Sequence, residues 1–266
     1  MVGVSWAFWA PAPLSGLEEP APLVPALHYA GGLMPLAVTL ALLFARRDRD
    51  YRRDYWRRLV DFRRIEWKSY ALILLITPAL TAGGAALDAL LGGGGLELEE
   101  AARLLRQPFA VAPFLVFTLL FGPLPEELAW RGYALDQLQA RRSPLAASLI
   151  VGLVWTVWHL PLFFIQSSYQ HGLGLGAARF WLFLLDFVPV SVVMTWIFNQ
   201  NRRSTLSAVL LHFTINAVGE LFALTLRAEA FTIAWWWAAA IIVVWAAGMG
   251  QQARCRDQAG AREGGG

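Results

Sequence analysis

Residues 109–140 read FAVAPFLVFTLLFGPLPEELAWRGYALDQLQA, an apolar run that ends in two adjacent carboxylates and an arginine. At about 1.5 Å per residue, one continuous helix of this length would measure roughly 48 Å, against a hydrocarbon core of about 30 Å. Its polar end must therefore protrude from the bilayer. Gly122, Pro123 and Pro125 stand where the carboxylates begin, so the helix is expected to kink or break there. Arg141 and Arg142 then mark an exit at the cytoplasmic surface.

The rest of the chain repeats the apolar theme. Of 266 residues, 57% are hydrophobic and only 15% charged, with mean hydropathy +0.48, which is too apolar for one soluble core. Runs at 22–44, 69–91, 145–165, 179–199, 204–224 and 231–250 join 109–140 to give about seven crossings, or eight if 109–140 splits. The fold class is all-α, a polytopic helical membrane bundle. Arginine clusters at 46–64, 141–142, 202–203 and 254–262 then fall on one side, which the positive-inside rule makes cytoplasmic. That places the N-terminus outside and the C-terminus in the cytoplasm. Within the arginine block, Tyr51, Tyr55, Trp56, Leu59, Phe62 and Ile65 recur at three- and four-residue steps, as in an interfacial amphipathic helix whose arginines meet lipid headgroups, with a solvated charged loop as the alternative. The glycines at 92–95 suggest a flexible turn. The organisation expected is a two-span region with a cytoplasmic Arg-rich loop over 1–108, a core over 109–225, and a final span with a disordered cytoplasmic tail over 226–266.

Several function classes fall away. Residues 1–21 lack a basic n-region and carry Pro11, Pro13, Pro20 and the Glu18-Glu19 pair, so the first span is expected to persist in the mature protein. Cys255 is the only cysteine, which rules out an intramolecular disulfide and sets redox chemistry aside. The formal charge of +3 arises in short loops that orient spans, so nucleic acid is not an expected partner. Lys68 is the lone lysine and Ala, Gly and Leu abound, which points to a GC-rich prokaryotic genome and hence a prokaryotic plasma membrane.

Ionisable groups inside spans cost about 2.5–3.5 kcal/mol each at a helix centre, so each needs a reason. Glu126, Glu127, Arg131, His159, His212 and Asn216 are the group to explain. Polar residues that merely hold membrane helices together are mostly Ser, Thr and small residues. This set instead holds two carboxylates and two imidazoles, the inventory of acid/base or metal chemistry. Glu127 and Arg131 are four residues apart and share a helical face, so they are expected to pair. Glu126 lies off that face without a local counter-ion, which suits a carboxylate that binds water. His212 and Asn216 are also an i,i+4 pair, and His159 comes from a third helix. Counted at about 1.5 Å per residue from the arginine-flanked ends, all three sets lie roughly 10–20 Å deep and can share one buried cavity.

These residues form three ordered motifs. Glu126–Arg131, EELAWR, resembles EExxxR; Trp155–His159, WTVWH, resembles FxxxH with Trp in place of Phe; and His212–Asn216, HFTIN, resembles HxxxN. Over about 109–225 the chain resembles the CAAX-protease and bacteriocin-processing family. The resemblance implies a helical intramembrane endopeptidase whose substrate is a membrane-associated protein or peptide. Eukaryotic members trim the last three residues of prenylated CAAX proteins, and bacterial members include bacteriocin-processing and immunity proteins. The catalytic set is expected to be Glu126, Glu127, His159, His212 and Asn216. Glu126 would act as general base on a water also held by His159, and His212 and Asn216 would donate to the oxyanion. Glu127 with Arg131 would fix the helix. A competing arrangement has Glu126, His159 and His212 hold zinc or another divalent metal, with ligands drawn from separate helices because no HExxH is present. The alternative from another class is a non-proteolytic membrane protein of the same fold, an immunity factor or scaffold that binds through the same polar set. His28 and His171 read as interfacial or bundle residues, Asp88 and Asp186 sit in or near spans where they could line a water cavity without a partner spacing to support a role, and Glu220 extends the His212 face by one turn.

Overall fold

The computed structural model describes residues 1–14 and 23–250. The Glu18-Glu19 segment, Cys255, the last arginine cluster and the expected disordered tail after 251 lie outside the described residues.

Two short helices, α1 (Val2–Trp9) and α2 (Pro11–Leu14), precede the first long one, α3 (Leu23–Ala45). The arginine block forms α4 (Arg49–Val60), capped by the Asp48 carboxylate on Tyr51 N–H, and leads into α5 (Trp67–Leu90). Next come α6 (Glu99–Arg106) and α7 (Pro108–Leu120). The chain breaks at Gly122, with φ −150° and ψ −89°, and restarts as α8 (Pro123–Ala129) with proline in the first helical turn. A π-helical segment, Trp130–Leu135, and α9 (Asp136–Gln139) complete that crossing. Beyond lie α10 (Pro144–His159), a 3-10 turn at Leu160–Phe164, α11 (Tyr169–Gly172), α12 (Ala178–Gln200), α13 (Thr205–Leu221) and α14 (Leu226–Ala246).

Among the described residues, six helical stretches are long and apolar enough to cross a membrane: Leu23–Ala45, Trp67–Leu90, Pro108–Gln139, Pro144–Phe164, Ala178–Gln200 and Leu226–Ala246. The shorter apolar α13 takes the remaining segment read from the sequence. The chain is an integral membrane helical bundle. α14 packs against α5 and α12, α12 against α10, and α13 against α5 and α8. Large side chains such as Trp245, Ile241 and Leu75 stay exposed on the outside, where lipid is the solvent.

The two ends of the bundle are tied in different ways. At one end α4 does not float at the interface, because its Tyr55 and Arg58 are buried. Arg58 pairs with Asp54 at 3.2 Å and Asp136 at 3.3 Å, and Arg203 also reaches Asp136. Tyr55 donates to the Leu128 carbonyl at 3.0 Å. Gly132 in the π-helical segment makes room for that ring, since a Cβ there would meet Tyr55 Cε2 at 3.2 Å. At the other end the glycine turn is not loose. Asp88 accepts from the Gly95 amide at 2.9 Å, from the Thr225 hydroxyl at 2.8 Å and from Arg227. These bonds seat a two-residue antiparallel ladder, Leu96–Glu97 on Ala223–Leu224.

Candidate active site

The break at Gly122 has a local cause and a consequence for the site. Pro123 cannot donate its backbone nitrogen, and Gly122 adopts a conformation that ends α7, so α8 starts afresh with Glu126 and Glu127 pointed inward. Both carboxylates are buried, at 8% and 0% exposure. A side chain at 122 would also collide with the site, because its Cβ would stand 3.0 Å from Asn216 Nδ2. Glycine lets the α13 carboxamide approach the break.

The two glutamates have different partners. Glu127 Oε1 accepts from Arg131 Nη1 at 2.8 Å and from His212 Nδ1 at 2.9 Å. Arg131 is fully buried as well, and its guanidinium lies 4.6 Å from the centre of the Trp155 ring. Glu126 Oε2 accepts from the Trp155 indole Nε1 at 2.7 Å. One carboxylate is thus paired with a guanidinium and an imidazole nitrogen, and the other is held by a neutral indole donor.

His159 ends α10. Its Nδ1 lies 2.9 Å from the Trp155 carbonyl, an acceptor, so this nitrogen carries the proton and Nε2 is the lone-pair nitrogen. Rings of Phe187, Trp158 and Phe183 enclose the imidazole at 4.5, 4.7 and 5.5 Å between centroids. His212 meets the Trp155 ring edge-on at 5.1 Å. Asn216 follows one turn along α13, half-buried. One turn further, exposed Glu220 accepts from Thr118 Oγ1 at 3.3 Å.

The structure therefore brings Glu126, Arg131, His159 and His212 around Trp155, with Glu127 on Arg131 and His212, and Asn216 beside the Gly122 break. It leaves other polar residues elsewhere: His171 Nδ1 bonds the Phe163 carbonyl at 2.9 Å, and Asp88 ties the far ladder. Sequence reasoning missed several supports. Trp155, which stands where the resembled motif has Phe, touches Glu126, Arg131, His159 and His212. The His212–Glu127 bond joins positions 85 residues apart, and no spacing rule announces it. Trp6 donates to the Trp158 carbonyl at 3.2 Å and Trp9 packs at a tilt against Trp158 with ring centres 4.9 Å apart, so the N-terminal helix braces the His159 turn. The i,i+4 spacing of Phe183 and Phe187 was the available signal for the aromatic wall.

Among the described residues, no three His, Cys, Asp or Glu side chains converge as a metal-ligating group. Nδ1 of each site imidazole has a protein partner that fixes its ring and sets its tautomer.

A family model described as type II CAAX prenyl endopeptidase Rce1-like matches residues 108–218, which include every residue of this site. A CAAX prenyl protease 2 from Methanococcus maripaludis is 32% identical over 196 residues, covering 73% of this chain and 72% of that protein.

Proposed function

The chain belongs to the Rce1-like family of type II CAAX prenyl endopeptidases, a peptidase embedded in the membrane, and from that premise we propose that it cleaves its substrate with a water activated by Glu126 and His159. The observation that carries this reading is that Trp155 holds both groups, Glu126 through its indole N–H and His159 through its backbone carbonyl. Each then has one acceptor atom left for a water, Oε1 of the carboxylate and Nε2 of the imidazole.

In the proposed reaction Glu126 removes a proton from that water while the oxygen attacks the scissile carbonyl carbon. The carbonyl becomes a tetrahedral oxyanion, which receives hydrogen bonds from His212 Nε2 and the Asn216 carboxamide. Glu126 next returns its proton to the departing amine as the C–N bond breaks. With His212 Nδ1 donating a hydrogen bond to Glu127, the Nε2 donor of this scheme belongs to the doubly protonated imidazole. Glu127 acts in this scheme by orienting His212 and does not touch the substrate.

The substrate class follows from the relative's name and the membrane setting: a membrane-associated protein or peptide that ends in a CAAX-type sequence. A test uses detergent-purified protein with a farnesylated peptide of that kind beside the same peptide unmodified, and mass spectrometry of the released tripeptide. Wild type is expected to release it, and Glu126→Gln, with an unchanged melting temperature, to lose about 10²–10⁴-fold in turnover. Equal turnover by the two proteins would overturn the assignment of the base.

A further inference from the structure

The exchange of Phe for Trp at 155 is the one place where the three motifs depart from the pattern they resemble. A phenylalanine ring would fill much of the same space. It would still face Arg131, His212 and Phe187, which surround the indole at 4.6, 5.1 and 4.8 Å. It would not supply an N–H. The indole Nε1 lies 2.7 Å from Glu126 Oε2, and among the described residues this is the one side-chain hydrogen bond that Glu126 receives.

Two neighbouring indoles show that this bond is not a by-product of packing tryptophans in an apolar core. Trp130 and Trp158 are as buried as Trp155, and among the described residues their Nε1 atoms have no hydrogen-bond partner. Trp158 is even on the same helix, three residues along. The core therefore accepts an indole without using its donor, whereas at 155 the donor is aimed at a carboxylate.

We infer that Trp155 is a positioning residue for hydrolysis, its indole N–H pinning one oxygen of Glu126 so that the other faces the water in a fixed direction. The inference rests on the reading of Glu126 as the base. The physical basis is the softness of the last glutamate torsion, which is broad and roughly two-fold, so an unanchored carboxylate samples many planes. A short bond to a buried anion, with little water to compete, selects one plane and supports the charge. The Trp155 carbonyl adds a second constraint by setting the ring of His159. Both groups proposed to hold the water therefore take their orientation from one residue, and a change at its ring nitrogen disturbs only the Glu126 half.

The experiment compares wild type, Trp155→Phe, a protein with 3-benzothienylalanine at 155, Trp130→Phe and Glu126→Gln, all assayed on the farnesylated peptide. Benzothienylalanine keeps the bicyclic shape and replaces the N–H by sulfur, so it carries the test alone if Trp155→Phe fails to fold. The expected result is a fall in kcat of about 10- to 100-fold for both 155 variants, the size of one hydrogen bond to a charged group. KM and melting temperature should stay near wild type, and Trp130→Phe should keep its kcat. An unchanged kcat in the benzothienyl protein, or a change confined to KM, overturns the positioning role while Glu126→Gln remains inactive. Turnover by Glu126→Gln itself overturns the assignment of the base instead.

Discussion

Arg131 in the site and Arg58 at the arginine-rich end are both fully buried, and each has a carboxylate four residues before it. Their surroundings differ. Arg58 has two carboxylates, Asp54 and Asp136, and Asp136 is shared with Arg203 and with the Tyr51 hydroxyl. Asp54 is 37% exposed, so the cluster keeps one side in water. Arg131 has Glu127, with no exposure on either side chain, and the same oxygen also serves His212. The first cluster joins α4 to α9 and to the turn before α13, and it contains no imidazole. The second puts a histidine on the shared carboxylate and sets Glu126, which among the described residues has no salt-bridge partner, beside it. A buried ion pair is therefore not by itself a sign of chemistry. The signs here are a proton-carrying partner on the pair and a neighbouring carboxylate held by a neutral donor.

The sharpest way to break this comparison is to remove one carboxylate charge from the closed cluster and one cation from the open one. Glu127→Gln leaves Arg131 and His212 buried without their anion, and it should cost about 3–5 kcal/mol, the loss typical of breaking a fully buried pair. Arg58→Met leaves Asp136 with Arg203 and Tyr51 and Asp54 partly in water, so its cost should be smaller, about 1–3 kcal/mol. Thermal melting in detergent measures both. Equal losses would mean that redundancy at Asp136 counts for nothing, and the distinction between the clusters would fail.

The next effect is on rate. Asn216→Ala removes one of the two donors assigned to the oxyanion and should slow turnover about 10²- to 10³-fold with little change in melting. Protein purified without added metal should cleave at the same rate with or without chelator, because no step of the proposed chemistry passes through a metal. Activity that vanishes on chelation together with bound zinc, and returns with it, would instead favour Glu126, His159 and His212 as ligands.

The legible part of this molecule is what helical periodicity and hydropathy encode. The seven apolar segments each have their helix, and the break at Gly122 and Pro123 lies where backbone chemistry places it. The i,i+4 spacing also puts Arg131 within 2.8 Å of Glu127. What was not legible is set by packing between helices. The direction of the Trp155 N–H, the His212–Glu127 bond and the bracing of Trp158 by Trp6 and Trp9 depend on which faces meet, and one sequence carries no local signal for that. The glycines at 92–95 misled for a related reason. Gly92 and Gly95 do adopt positive φ, yet Asp88 from the preceding helix fixes the turn.

The smallest expected effect probes the joint between the two regions. Tyr55 comes from the arginine-rich end, and its hydroxyl donates to Leu128 O at 3.0 Å, on the helix that carries both glutamates. Tyr55→Phe keeps the ring against Gly132 and removes one buried hydrogen bond, so it should cost about 0.5–1.5 kcal/mol. Turnover should stay near wild type, because the Gly122 break and Trp155, not Tyr55, orient the carboxylates. Burial pushes the Tyr55 phenol above its ordinary value of 10.0. Above that pH the unfolded chain releases the proton while the folded one retains it, so the unfolded state binds fewer protons and stability falls as pH rises. Phenylalanine has no such proton. The stability gap between wild type and Tyr55→Phe should hence be constant from pH 7 to 9 and narrow above pH 10, as read from melting curves of the two proteins across that range. A gap that widens with pH would mean the phenolate is better accommodated in the folded state than the phenol, contrary to a buried hydroxyl that donates to a carbonyl. A large loss of turnover at pH 7 would show instead that this one bond sets the position of Glu126, and the arginine-rich end would then belong to the catalytic apparatus rather than to its frame.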